Sequence, residues 1–199
     1  MAHLRPRLTD RDVRAAVHEQ LVPGLVGKTA SRVLDEFQVC LGEGRVDIAV
    51  VNGKLHGIEI KSEADTLDRL AGQRDLYNRV FDTVTVVCGS NHVDGVSSRV
   101  PVWWGIYSAA ASRSGVRLKR IRSVGRNPNV NAEALAQFLW KDEIIRLLAE
   151  AGVRKGLSGK TRRALWPVLA SAYPLEVLQE KVRECLKARE DWRPAVPLT

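Results

Sequence analysis

Apolar and polar positions divide the chain at a loop-forming run, Gly125-Arg126-Asn127-Pro128-Asn129-Val130-Asn131, with strands and helices before it and helices alone after it. Val13, Ala16, Val17 and Leu21 recur at helical spacing and predict a first helix. Apolar-rich runs then predict strands over 33–40, 45–52 and 54–62, a helix near 67–81, a strand near 83–88 and another over Val100–Tyr107. Residues 115–122 read as a further strand. Asp65 or Thr66 is the expected cap of the 67–81 helix. Trp103 and Trp104, if extended, point to opposite faces, one into the core and the other over the sheet edge or toward a nucleic acid. A hairpin followed by helix and strand implies an α/β core, a mixed β-sheet flanked by helices. Beyond the loop, Leu135, Leu139, Ile144, Ile145, Leu147 and Leu148 support one or two helices, and two more follow across 160–172 and 174–189. The expected organisation is a core over 1–124 and a helical C-terminal region over 125–199.

The densest information lies in Arg45-Val46-Asp47-Ile48-Ala49-Val50-Val51-Asn52-Gly53-Lys54-Leu55-His56-Gly57-Ile58-Glu59-Ile60-Lys61, where Asn-Gly predicts a hairpin turn. A two-residue loop would put Asp47 on the face opposite Glu59 and Lys61. A three-residue loop, Asn52-Gly53-Lys54 with a glycine-assisted bulge, sets Val51 opposite Leu55, Ile48 opposite Ile58, Val46 opposite Ile60 and Asp47 opposite Glu59. This register also gathers Val46, Ile48, Val50, Ile58 and Ile60 on one apolar face, so it is the one predicted.

Opposed carboxylates with Cβ atoms about 5 Å apart repel each other unless a cation lies between them. Hard oxygen ligands of this kind suit Mg²⁺, with Mn²⁺ as a substitute, and the Ile60 carbonyl is a further candidate ligand. Lys61 shares the face of Glu59 and is placed to orient a water or offset charge on a phosphate. The plain readings stand beside these: Glu-x-Lys as a solvated strand face, Asp47 as a turn cap, Tyr77 as core, Gln73 as a polar residue at its edge.

Asp-x11-Glu-x-Lys on a hairpin resembles the PD-(D/E)XK phosphodiesterase superfamily. The run Glu59-Ile60-Lys61-Ser62-Glu63-Ala64-Asp65-Thr66-Leu67-Asp68-Arg69-Leu70, followed by Gln73, Tyr77 and Asn78-Arg79-Val80-Phe81-Asp82, is similar to a little-characterised bacterial family within it, over roughly residues 10 to 107. The resemblance implies a restriction-endonuclease-like core, metal binding by the acids and assistance to the nucleophile by Lys61. Gln73 and Tyr77 match a Gln-x-x-x-Tyr pair of many relatives, while the proline that often precedes the first acid is replaced by Val46. An upstream acid is also implied: Glu36 by the closer likeness, with Glu19 on the first helix as the alternative. Arg69 reads as a phosphate contact or a surface ion pair.

The formal net charge of +8 among 199 residues favours a polyanionic partner, because exposed cations gain affinity by releasing counterions from phosphates. Arg113, Arg117, Lys119, Arg120, Arg122 and Arg126 concentrate that charge, and the plain reading, an edge strand guarded by cations, is compatible with it. The 45% hydrophobic content excludes a disordered or fibrous chain. Cys40, Cys88 and Cys185 lack Cys-x-x-Cys spacing and read as free buried thiols. Met1–Arg7 has no apolar signal core and no stretch is long enough to span a bilayer, so a cytoplasmic protein is expected. His56 is expected to pack on Val50, and His92 sits in a polar loop, either near the site or merely on the surface. Gly152–Arg163 is not a phosphate loop, since Arg154 occupies a required glycine position. Ser158 reads instead as a cap before a basic helix start with Lys160, Arg162 and Arg163, a helix-turn-helix-like DNA contact or a packing appendage.

These readings converge on a Mg²⁺-dependent nuclease, an endonuclease acting on DNA. Its expected site comprises Asp47, Glu59, Ile60 and Glu36 as metal ligands, Lys61 and Gln73 as catalytic groups, and Tyr77, Arg69, Lys160 and Arg162 toward the substrate. The alternative is a catalytically silent nucleic-acid-binding module or a helical adaptor on the same scaffold, and a protein partner or homodimer is compatible with either.

Overall fold

The computed structural model describes residues 7–26, 31–113 and 115–189, so the expectation for the N-terminal segment lies outside the described residues except at Arg7. Thr9 opens α1 (Asp10–Gln20) by a reciprocal cap, its hydroxyl accepting from Asp12 N–H while Asp12 Oδ2 accepts from Thr9 N–H at 3.0 Å. A short α2 (Val22–Leu25) follows. The strands β1 (Arg32–Val39), β2 (Gly44–Val51) and β3 (Leu55–Lys61) lead into α3 (Leu70–Tyr77), β4 (Thr83–Gly89), α4 (Val93–Ser97), β5 (Gly105–Ser112) and β6 (Gly115–Arg122). The C-terminal helices are α5 (Ala132–Ala136), α6 (Lys141–Glu150), α7 (Arg162–Ala172) and α8 (Leu175–Ala188).

The strands form one six-stranded mixed sheet in chain order β1 to β6. β3, β4 and β5 run parallel, joined by crossovers through α3 and α4, while the outer pairs are antiparallel. One face, bearing Ile48, Val50, Ile58, Ile60, Val87 and Ala109, is covered by Val13, Val17 and Val22. The other bears Ala49, Val51, Leu55, Val84, Val86 and Cys88 and packs in one continuous cluster against α3 and the helices α5 to α8. Sandwiched in this way, β3 and β4 are buried along their whole length, as expected of parallel strands covered on both faces. The boundary expected at 124/125 coincides with a loop, but the apolar core is continuous across it. Cys40, Cys88 and Cys185 are free and buried. Among the described residues, no helix is long and apolar enough to cross a membrane.

The hairpin register is the three-residue one, with Val51 opposite Leu55, Val50 opposite the buried His56, and Ile48 opposite Ile58. Its closure differs from the expected glycine bulge, because Gly53 is not among the positive-φ glycines; the Asn52 carboxamide oxygen accepts from Lys54 N–H at 2.7 Å instead. Further expectations are corrected. The strand predicted over Val100–Tyr107 begins at Gly105, since Trp104 N–H bonds Pro101 C=O in a turn that Arg122 braces through both carbonyls. Trp104 is buried, donating from Nε1 to Asn78 Oδ1, while the partly buried Trp103 packs edge-on against it. The helix predicted near 67–81 spans Leu70–Tyr77, and Asp65 closes a turn by accepting from Ser62 N–H and Oγ–H rather than capping that helix. Thr161, not Ser158, caps α7.

The helical region is fastened to the sheet at a buried carboxylate. Asp82 accepts from Gln179 Nε2 at 2.5 Å and Arg183 Nη1 at 3.1 Å on α8, and from Leu55 N–H at 2.6 Å at the start of β3. Replacing one member of such a network strands the others without partners. Asp82→Ala is therefore expected to cost about 3 kcal/mol, read as a lowered urea midpoint with an unchanged slope.

Candidate functional site

The site starts from a departure in the sheet. Glu36 on β1 adopts φ 54°, in the left-handed region that non-glycine residues rarely enter. The β1–β2 register consequently skips Glu36 and Asp47, running from Asp35–Ile48 directly to Phe37–Val46. Side-chain alternation resets there, so Val46 joins the α3-side cluster with Ala49 instead of the face of Ile48, correcting the expected apolar face. The β2–β3 ladder likewise ends at Ile48–Ile58, so the expected pairings of Asp47 with Glu59 and of Val46 with Ile60 do not form. In its place, Asp47 Oδ2 accepts from Ile60 N–H at 2.7 Å. Because a strand N–H lies in the plane of the sheet, the Asp47 carboxylate sits in the gap between β2 and β3.

Glu59 and Lys61 project from β3 on the α3 side, where their side chains are only 3% and 5% exposed. Lys61 Nζ lies 2.7 Å from Glu59 Oε1, and Gln73 Nε2 donates to the same oxygen at 2.5 Å. The Tyr77 hydroxyl lies 2.7 Å from Glu59 Oε2 and 2.6 Å from the Arg45 carbonyl. Tyr77 itself is fully buried, edge-on to Phe81 and stacked at 6.1 Å on Trp104. It therefore positions Glu59 and is absent from the cavity lining, which corrects its expected place as a substrate contact. Burial, followed by the charge of Glu59, drives the phenol far above its ordinary pKa, so it remains a hydrogen-bond donor.

Asp47, Glu59, Ile60, Lys61, Arg69 and Gln73 line a single cavity of about 860 Å³, together with Arg45 and Asp68. Burial, and next the neighbouring Glu59 carboxylate, push the Asp47 carboxyl up to about 7 against the pull of Ile60 N–H and Arg14. Arg14 reaches this point from α1: its Nη2 meets Asp47 Oδ1 at 2.7 Å and Glu36 Oε1 at 2.9 Å. Burial opposes its charge, but Asp47, Asp10 and Glu36 outweigh that and hold the guanidinium above its ordinary pKa.

Other expected residues lie elsewhere. Glu36 does not line the cavity; it is ion-paired with Arg14 and, at 2.6 Å, with Arg45. Glu19 is exposed on α1 and does not line it either. Lys160 and Arg162 lie outside the cavity too, Arg162 donating to the Gln137 carbonyl and resting over the Trp166 ring. His92 contacts Asn91 away from the lining. The residues that sequence reasoning missed are Arg14 and Asp10, whose spacing of four reads as an ordinary surface pair on a helix.

Among the described residues, no group of three or more His, Cys, Asp or Glu side chains is arranged to hold a metal ion. Mg²⁺ is commonly bound through only one or two carboxylates with water completing its shell, so Asp47, Glu59 and the Ile60 carbonyl remain a fitting donor set. Beside them Gln73 Oε1 is a buried acceptor with no hydrogen-bond partner among the described residues.

A family model described as bacteriophage P4 protein cII matches residues 6–193. Protein cII of Enterobacteria phage P4 is 32% identical over 182 residues, covering 92% of this chain and 68% of that protein. A solved protein of unknown function from Silicibacter pomeroyi aligns over 79% of this chain and 99% of its own at 20% identity, with a TM-score of 0.39.

The raised Asp47 pKa has a definite sign in stability. A carboxyl at about 7 in the folded chain contributes stability that is whole below its ordinary value near 4 and is lost as pH rises through about 7. In EDTA, Asp47→Asn should therefore gain on the parent chain by a few kcal/mol between pH 4 and pH 8, read from denaturant midpoints. A pH-independent difference would show that Asp47 titrates as an ordinary carboxylate.

Proposed function

The chain belongs to the bacteriophage P4 protein cII family, and for this member we propose a divalent-metal-dependent phosphodiesterase, an endonuclease acting on DNA. The observation that carries the reading is the convergence of Asp47, Glu59, Ile60 and Lys61 on one cavity from two strands that part where the carboxylates meet. The finer fold reading, a restriction-endonuclease-like core, belongs to the same proposal. It is supported by the acids on an antiparallel pair, the lysine at the end of β3 and the parallel crossover that follows.

Asp47, Glu59 and the Ile60 carbonyl would hold Mg²⁺ or Mn²⁺. When bound, the ion supplies Lewis-acid polarisation of a phosphate and a water of lowered pKa. The protein's own groups do the positioning. Tyr77 and Gln73 each bond Glu59, fixing its two oxygens and leaving Lys61 Nζ tethered beside them as a preorganised cation. Such a group stabilises charge that develops on a phosphate without having to reorganise during reaction. Arg69 and Arg45, on the cavity wall, are the candidates for flanking phosphates.

A polyanionic substrate also needs cations away from the mouth. Arg117 and Lys119 on β6 are exposed opposite Ala110 and Ser108, on a sheet surface of small side chains. They are the proposed backbone contacts, whereas Leu118 between them packs toward α1. The silent-module alternative differs in one respect: it binds nucleic acid through these cations without turnover.

Plasmid incubated with Mg²⁺ should be nicked, EDTA should stop the reaction, and Glu59→Ala or Lys61→Ala should slow it by about a hundredfold or more. Cleavage unchanged in both folded variants would remove the proposed chemistry. Arg117→Glu with Lys119→Glu should weaken DNA binding and lower the slope of log affinity against log salt by about 2, measured by fluorescence anisotropy at several salt concentrations.

A further inference from the structure

We infer that Arg14 is a positioning residue that holds Asp47 in the place of a divalent cation and must release that carboxylate before the ion binds. This rests on the reading of Asp47 and Glu59 as ligands. Asp47 has two oxygens, and Oδ2 is committed to Ile60 N–H, which the sheet fixes in place. Oδ1 is the oxygen left for an incoming cation, and Arg14 Nη2 lies on it at 2.7 Å, with Nη1 donating to the Asp47 carbonyl at 3.1 Å. A carboxylate oxygen has a second lone pair, but a guanidinium and a divalent ion sharing one oxygen repel each other strongly at this depth.

Arg14 also has somewhere to go. Glu36 Oε1 is already 2.9 Å away, Asp10 Oδ1 is at 3.3 Å and Asp35 Oδ1 at 3.9 Å, so losing Asp47 leaves the guanidinium paired. Glu36 takes φ 54°, a conformation that costs energy, and here its carboxylate lies between Arg14 and Arg45. The strained residue thus maintains an alternative seat for Arg14 next to the one it leaves. A purely structural ion pair tying α1 to the sheet makes the opposite prediction, because removing Arg14 would then loosen Asp47 and weaken ion binding.

The test is Mn²⁺ binding to metal-free protein, followed by the loss of the free-ion electron paramagnetic resonance signal. Arg14→Ala should bind Mn²⁺ about tenfold or more tightly than the parent chain, Arg14→Gln should shift the same way, and Arg14→Lys should stay near the parent. Adding Asp47→Asn to Arg14→Ala should erase the gain, and circular dichroism verifies folding of each variant. Equal or weaker Mn²⁺ binding by folded Arg14→Ala and Arg14→Gln overturns the inference. If the parent chain binds Mn²⁺ and cuts DNA while the variants gain nothing, the inference fails alone. If neither parent nor variants bind Mn²⁺, the ligand reading fails with it. Tighter binding without cleavage by any form supports the role of Arg14 and removes the phosphodiesterase.

Discussion

The bond from Ile60 N–H to Asp47 is the constraint on which the site depends. Two antiparallel strands cannot part inside a packed sheet without leaving backbone groups unpaired, and an orphaned buried N–H is costly. Here a side chain from one strand takes the place of a backbone carbonyl for the other, which ends the ladder at Ile48–Ile58 without loss of that bond. The same substitution carries a carboxylate into the gap, next to Glu59. Two acidic groups are thus brought together by a demand of backbone hydrogen bonding, and their mutual repulsion follows as a consequence.

How that repulsion is met orders the surrounding residues. Glu59 is matched by Lys61 and fixed by Gln73 and Tyr77, whereas Asp47 is matched by Arg14 from the opposite side of the sheet. The cavity wall beyond them adds Asp10, Glu43, Asp65, Asp68 and Asp75 against Arg45 and Arg69. An acidic mouth on a chain of net charge +8 means that the cationic excess lies elsewhere, including the exposed β6. On the proposed reading, this division favours contacts to a nucleic-acid backbone at a distance and charge compensation by ions from solution at the two carboxylates.

The parts legible in the sequence were those governed by periodicity. The register of β2 and β3 from Val51–Leu55 to Ile48–Ile58 followed from alternation, and the bounds of α7 and α8 from helical spacing, because local pattern and burial agree there. Illegible parts depended on one residue departing from its local pattern. Nothing in Asp35-Glu36-Phe37 announces a left-handed glutamate, yet the pairing lapses at Glu36 and Asp47, and beyond it Val46 lies on the other face from Ile48. Val100–Trp104 reads as strand by composition, but Arg122, distant in sequence, fixes it as a turn. Arg14 was hidden for a related reason: on its own helix it pairs with Asp10, and only the tertiary fold delivers Asp47 to it.

The helices after Gly125 are bonded through Asp82 to the same strand that carries Glu59 and Lys61. Asp82 accepts from Leu55 N–H and donates its own N–H to the Leu55 carbonyl, while its carboxylate receives Gln179 and Arg183 of α8. α8 is thereby bonded to the first residue of the strand whose far end carries Glu59 and Lys61. Leu135, Leu139, Leu165, Leu178 and Leu186 also share one cluster with Phe37, Tyr77 and Phe81. Removing this region would uncover the apolar face beneath Tyr77, the residue that positions Glu59, so truncation would disturb the candidate site through packing alone. A recognition role for these helices has to be sought in exposed side chains, such as Arg163 at the start of α7, with the core contacts left in place.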